Sequence, residues 1–382
     1  MSKLTKDKIN ICFFSPNVLP LIEGKSSGFG GGEVDLWNFA VALGKDDIFH
    51  VYFIVVDDRA RKFNAGNITV IVIERYKSIR KYRGYFLRYL IRIFKTFWGM
   101  QVDVYFVKLS SLEMIIVGVV ARLKRKKFIF RLGHDWETDY QSLKNNIFNH
   151  NKLLAKLFIV YLKKADLVIS QTRKQKELLK KNFNINSVVI YNAHHIPQNI
   201  NFDGKFSILW VGRIHPMKRP RIFLDLAKKF PGETFIMIGP PDENHLDLFK
   251  YIKNETGKIK NLEFIDGVPN NEMEKYYQKA KLFVLTSQAE GFSNVLIEAL
   301  KTKTPVVSLS VDPDDILTNN KNGFCAVGDV NKMVEYIVLL LADKKLWQLC
   351  SERAYGFAKE NFNIEKIIKK YKKIFYEIAK RD

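Results

Sequence analysis

Cysteine is scarce in this chain of 382 residues: Cys12, Cys325 and Cys350 are odd in number and far apart. They fit neither a disulfide framework nor the paired spacing of a zinc site, and they point to a reducing compartment. Long apolar runs are also missing. The longest, Met114 to Val120, has the length of a buried strand or a piece of helix. It falls far short of the about 18 or more residues that a membrane-spanning helix needs. The opening residues, Met1-Ser-Lys-Leu-Thr-Lys, contain no apolar signal core, so secretion is not expected. Acid is in short supply in one half only. Residues 1–200 carry 33 Lys and Arg against 16 Asp and Glu, whereas 201–361 are almost balanced at a net +1. The formal net charge of +22 is therefore concentrated N-terminally, and that half reads as built to meet something anionic.

What is present is ample core material. Apolar residues make up 47% of the chain, enough for two domains each with its own core. Strands are expected at 9–14, 50–56, 68–73, 103–107, 127–131, 166–170 and 187–190, with helical patterns between most of them and a helix from about Glu33 to Leu43. A polar segment, Asn192 to Gly204, interrupts the rhythm and contains Pro197. It then restarts with strands at 206–211, 234–238, 261–265, 281–286 and 305–309, and ends in a lysine-rich helical stretch, 345–380. Such alternation predicts α/β architecture with parallel, doubly wound sheets. The boundary is placed in the polar segment, giving an N-terminal domain of 1–198 and a C-terminal domain of 199–361, with a helix at about 362–382 returning to the first.

Ligands of such sheets sit beyond the carboxyl ends of the strands, and the polar motifs fall there. Leu209-Trp-Val-Gly212-Arg213-Ile-His-Pro-Met-Lys218 follows one strand. Arg213 offers a planar fork to phosphate oxygens and Lys218 a mobile point charge. Glu290-Gly-Phe-Ser-Asn-Val-Leu-Ile-Glu298 follows another. Ser293 or Asn294 can cap a helix running to about Lys301, whose free N–H groups form an anion site. Glu298 then lies one turn in, on the face of Asn294, where a carboxylate can accept hydrogen bonds from ribose hydroxyls.

The two glutamates separated by seven residues, with Gly-Arg…Lys upstream, resemble retaining glycosyltransferases of family 4 (glycosyl transferases group 1). Asn261-Leu-Glu-Phe-Ile-Asp-Gly267-Val268, Thr304-Pro-Val-Val-Ser308 and Asn322-Gly323-Phe324 add to the likeness, which covers about 205–330. It implies the GT-B fold, two Rossmann-like domains with parallel sheets facing across a cleft. It also implies site roles. Arg213 and Lys218 would bind the donor diphosphate, with Ser293, Asn294 and Val295 at the helix start. Glu298 would hold the ribose, Glu290 would contact the transferred sugar as a catalytic group, and backbone near Val268 would meet the base. Where the family has a Gly-Gly turn, this chain reads Ser310-Val-Asp312-Pro313-Asp314-Asp315. Asp312-Pro-Asp314 is formally a metal-binding pair, but the resemblance implies cations and helix ends at the diphosphate, so no metal and no cofactor beyond the nucleotide-sugar co-substrate is expected. A UDP-sugar is the expected donor.

In the first half, Gly28-Phe-Gly30-Gly31-Gly32-Glu33 follows the first strand, and the resemblance brings Gly31 and Gly32 near the donor. The spacing is wrong for a nicotinamide fingerprint. Arg131-Leu-Gly-His134-Asp135 resembles the family's histidine loop, which makes His134 a second catalytic candidate beside the sugar. From Arg75 to Trp98 there are eight Lys and Arg and no acid, with Arg88, Arg92 and Lys95 on one helical face and Phe86, Leu90, Ile93, Phe94 and Phe97 on another. That segment suits either an anionic membrane surface or a core-packed crossover helix. Lys124-Arg-Lys-Lys127 is a second basic block.

The expected activity is transfer of a sugar, with retention, from a nucleotide diphosphate to an acceptor hydroxyl. The acceptor is read as a lipid-linked glycan of cell-surface polysaccharide biosynthesis. The enzyme is expected in the cytoplasm, peripheral on the inner face of the cytoplasmic membrane, with no nucleic-acid partner. The rivals are a same-fold sugar-nucleotide epimerase or glycan phosphorylase, and a basic nucleic-acid-binding protein.

Overall fold

The computed structural model describes residues 8–25, 31–74, 83–108, 110–200 and 204–380. Among the described residues two compact units emerge: one runs up to Glu23, from Gly31 to Ala193 and from Ile364 onward, and the other is His194–Asn363 with Gly24 and Lys25.

The strands of the first unit are β1 (Ile9–Phe14), β2 (Phe49–Asp57), β3 (Arg61–Ala65), β4 (Ile68–Glu74), β5 (Val104–Lys108), β6 (Lys127–Arg131), β7 (Leu167–Ser170) and β8 (Val188–Val189). They lie in the order β3-β4-β2-β1-β5-β6-β7-β8. All neighbours are parallel except β3, which turns back antiparallel on β4. Alternation along β1 shows why both faces are covered. Ile11 and Phe13 enter one apolar cluster, while Cys12 and Phe14 enter the other. The three cysteines are unpaired and buried.

The helix Ile364–Ala379 belongs to this unit. Ile367, Ile368, Tyr371, Phe375 and Ile378 form one stripe at helical spacing and join the cluster of Phe13, Phe39 and Phe106. The Tyr371 and Phe39 rings are 4.3 Å apart.

The second unit has β9 (Ser207–Val211), β10 (Thr234–Ile238), β11 (Leu262–Ile265), β12 (Ala280–Leu285), β13 (Val306–Ser308) and β14 (Gly323–Cys325). Their order, β11-β10-β9-β12-β13-β14, with every pair parallel, is the 3-2-1-4-5-6 arrangement of a Rossmann sheet. The order reverses between β9 and β12, which fixes where a ligand crevice opens.

The units divide at 193/194 and 363/364, not at 198/199 and 361/362. The polar segment is not a free linker. His194 N–H donates to the Phe362 carbonyl at 2.7 Å, and the Tyr355 hydroxyl donates to the Pro197 carbonyl at 2.9 Å. The chain is thus laid onto the second unit as soon as it leaves Ala193.

Candidate active site

At the switch point of the second sheet, the loops after β9 and β12 are stitched together. Trp210 Nε1 donates to Thr286 Oγ1 at 2.9 Å, and that hydroxyl donates to the Lys218 carbonyl at 2.5 Å. Gln288 N–H donates to the Met217 carbonyl at 2.8 Å. This scaffold sets Lys218 Nζ 2.5 Å from Glu290 Oε1, and the Ser287 hydroxyl also donates to Glu290, at 2.7 Å. The two motifs, 72 residues apart, therefore meet at one ion pair.

The helix Asn294–Lys301 starts beside that pair. Leu296, Ile297, Ala299 and Leu300 are buried, while Gly291, Asn294, Val295 and Glu298 form a half-exposed stripe. Ser293 stands at the N-cap, but its hydroxyl does not cap the helix. That oxygen is buried and has no hydrogen-bond partner among the described residues. The capping expected of Ser293 or Asn294 is thus not seen: Ser293 Oγ makes no hydrogen bond to the helix amides, and Asn294 is the first helical residue.

Glu298 is held from both sides. His194 Nδ1 lies 2.9 Å from Oε1 and Lys301 Nζ 2.9 Å from Oε2. Burial pushes its carboxyl up. The His194 hydrogen bond and the charge of Lys301 outweigh that and hold it down to about 2. The far nitrogen of His194 lies 3.3 Å from Asn294 Oδ1. Arg213 is half exposed and pairs with Asp242 at 3.6 Å. It stands at the end of β9 with Lys218, but is directed to the β10 side. Val268 is half-buried in the loop that follows β11.

In the first unit, Gly31 and Gly32 lie inside the first turn of the helix Gly31–Gly44 rather than in a loop before it. Gly28 and Gly30 lie outside the described residues. Beneath that turn Asp35, fully buried, accepts from Lys108 Nζ at 2.9 Å, Arg131 Nη1 at 2.7 Å and the Ala193 amide at 3.0 Å. Lys108 Nζ also donates to the Gly32 carbonyl at 3.2 Å. Burial raises Asp35, but the adjacent Arg131 and Lys108 charges win and hold it at about 2.

His134 is half-buried in the loop after β6, its ring 4.6 Å from that of Trp136. Buried Glu137 shapes this loop by accepting from the Gly133 and His134 amides and from the Ser110 amide and hydroxyl. Sequence reasoning missed Glu137, Asp35, Lys108 and His194. Only the position of Lys108 at the end of an apolar strand hinted at any of them.

Asp312 is engaged within its own loop. Its Oδ1 accepts from the Leu317 amide at 2.7 Å, and Oδ2 accepts from the Thr318 amide and hydroxyl. It closes a turn in which Asp314 takes a positive φ of 54°.

Two Rossmann-like sheets, with cationic and carboxylate side chains at the switch point of the second, define the architecture of GT-B glycosyltransferases. Residues 192–357 match the family described as Glycosyl transferases group 1. An uncharacterised glycosyltransferase of Haemophilus influenzae is 27% identical over 222 residues, covering 55% of this chain and 61% of that protein. One from Methanocaldococcus jannaschii is 23% identical over 97% of this chain and 99% of that protein. Among solved structures, sucrose-phosphate synthase from Thermosynechococcus elongatus superposes with a TM-score of 0.78 at 16% identity, covering 97% and 99% of the two chains. Anabaena HepE, solved with UDP and glucose, gives a TM-score of 0.71 at 16% identity, covering 97% and 100%. The second unit thus carries a Glycosyl transferases group 1 domain, on a chain with the GT-B fold.

Proposed function

We propose that this enzyme is a retaining family 4 transferase that moves a sugar from a UDP-type donor to a hydroxyl of a lipid-linked glycan in cell-surface polysaccharide synthesis. The observation that carries the donor half is the meeting of Lys218 and Glu290 at the switch point, beside a helix that presents Asn294, Val295 and Glu298 on one face. Lys218 and Arg213 neutralise the charge that grows on the departing diphosphate, and the amides from Ser293 to Val295 add donors without reorganising. Glu298, kept ionised by His194 and Lys301, accepts from the ribose hydroxyls. Glu290, with Lys218 on one oxygen, orients the transferred sugar. Val268 lies where backbone can meet the base. On the acceptor side, His134 contacts the sugar near its reacting carbon, and Gly31 and Gly32 let backbone approach the donor. The departing diphosphate itself takes the acceptor's proton, so no protein nucleophile is needed.

The basic N-terminal unit supports a lipid acceptor. The helices Arg83–Gly99, Leu112–Leu123 and Lys152–Lys163 pack side by side on one face of the sheet. Their outer surfaces expose Leu87, Ile91, Trp98, Leu123 and Leu153 among Arg88, Lys95, Arg122, Lys156 and Lys163. Ile93 and Phe97 of the first helix are buried in the core. That helix therefore both packs inward and presents a basic apolar outer face. Residues 75–82 of the basic segment lie outside the described residues.

The test is turnover of UDP- and GDP-sugars with a lipid-linked acceptor, with a sugar phosphate, and with water alone, reading the product's anomeric configuration by NMR. Transfer to lipid with retention supports the reading. Transfer to the sugar phosphate alone, or inversion, sinks it. Arg213→Ala and Glu298→Ala should each abolish transfer while leaving the circular dichroism spectrum unchanged; wild-type rates in either variant overturn the site.

A further inference from the structure

A cluster outside these assigned roles stands at the same end of the second sheet. The loops after β9 and β10 approach closely because Gly239 has no side chain. A Cβ there would lie 2.5 Å from Ile214 and 3.0 Å from the Gly212 carbonyl. The Ile214 amide bonds the Pro240 carbonyl at 2.9 Å, and Ile214 pairs with Pro241 as a short parallel bridge. This clamp brings His215 from one loop to Asp242 and His245 from the other, and one candidate ligand atom of each lies within 4.8 Å of the other two.

The chemistry of the three is complementary. His245 Nδ1 is 3.0 Å from Asp242 Oδ1, and the Asn244 amide donates to that same oxygen at 3.0 Å. His215 Nδ1 accepts from the Met217 amide at 3.1 Å, which makes Nε2 the nitrogen it offers a ligand. The two imidazoles stand edge to face, 4.4 Å between centroids. Asp242 is buried and both histidines are partly exposed, so the cluster has a fixed floor and an open mouth. An ordinary ion pair explains the Oδ2 side of Asp242, which faces Arg213. It does not explain why two imidazoles gather on the Oδ1 side.

We propose that His215, Asp242 and His245 form a binding site for one divalent transition-metal ion of the zinc type. Two imidazoles and one carboxylate are a donor set such ions take, with a remaining position open to water or another oxygen ligand. Zinc bonds of about 2.0–2.2 Å place neighbouring ligand atoms roughly 3–3.5 Å apart, so the cluster closes on an ion by small rotations of the side chains. The ion lies on the Asp242 side of Arg213. The inference stands on these three side chains and does not need the donor assignment.

Calorimetric titration of the chelator-treated full chain with Zn2+, and absorbance titration with Co2+ as a probe of coordination, test it. The expected result is one saturable equivalent. His215→Ala and His245→Ala should each weaken binding at least about tenfold, the double variant should lose it, and His150→Ala, an exposed residue outside the cluster, should leave it unchanged. Absence of a saturable equivalent in the wild-type chain, or retention of binding in the double variant, overturns the proposal. Should the variants fail to fold, zinc-edge anomalous diffraction from metal-loaded wild-type crystals decides. An anomalous peak among the three side chains supports the site, and a peak elsewhere or none refutes it.

Discussion

Glu298 and Asp35 are carboxylates of the same kind placed in opposite service. Asp35 is sealed against Lys108 and Arg131 and organises the helix start and the last residue before the chain leaves the first unit. Glu298 keeps part of its surface open. Both are held ionised down to about 2, whereas their ordinary values are 3.8 and 4.5. The folded state therefore binds fewer protons than the unfolded chain in that interval. Their stabilisation is complete above pH about 4.5 and drains as pH falls toward 2. Acid unfolding followed by circular dichroism should show this loss, and Asp35→Asn should flatten the Asp35 share of it; a melting temperature constant from pH 5 to 2.5 would contradict the assignment. Glu137→Gln makes a second case. An acceptor of four donors is replaced by an amide whose nitrogen meets N–H groups it cannot accept, so a loss of about 2–4 kcal/mol is expected in a denaturant titration.

Elements carried their own evidence where both faces were apolar. The strands around β1, β6, β9, β10 and β12 were legible because buried parallel strands read as unbroken runs. Met114–Val120 was ambiguous as a run alone. It became part of the helix Leu112–Leu123, with Ser111 capping the Met114 amide at 3.3 Å. The edge strand β3, Arg-Lys-Phe-Asn-Ala, has no apolar run to betray it, and β14 is only three residues long. In the site, the Arg213–Lys218 and Glu290–Glu298 motifs showed because each follows a strand end. His194 did not, since its partner Glu298 is 104 residues away, and Arg131 meets Asp35 across 96. Pairings that depend on topology leave no local mark. The exposed face of Arg83–Gly99 yields a prediction at this scale. Leu87→Glu with Ile91→Glu should weaken binding to anionic vesicles by about tenfold while leaving nucleotide-sugar hydrolysis unaltered, since neither side chain belongs to the core. Vesicle flotation at low and high salt measures it; equal flotation of variant and wild type would remove the lipid face from consideration.

At the scale of the whole molecule, each unit has its own core, and ligand should act on the second. UDP binding the folded state alone raises the apparent stability of that unit, by about 2.7 kcal/mol at a hundredfold excess over its dissociation constant. Differential scanning calorimetry should resolve this as a shift of one transition with UDP, and none with adenosine. Ending the chain at Asn363 should erase the other transition, because Ile367, Ile368, Tyr371, Phe375 and Ile378 all fill the first unit's core. A truncated chain that retains both transitions would show the helix to be an accessory.

That C-terminal helix also orders events during synthesis. The ribosome delivers β1 through β8 early, yet the side chains that finish packing around Phe39 and Phe106 emerge only after the whole of His194–Asn363 has been made. The first unit therefore completes its core only with residues synthesised after the second unit.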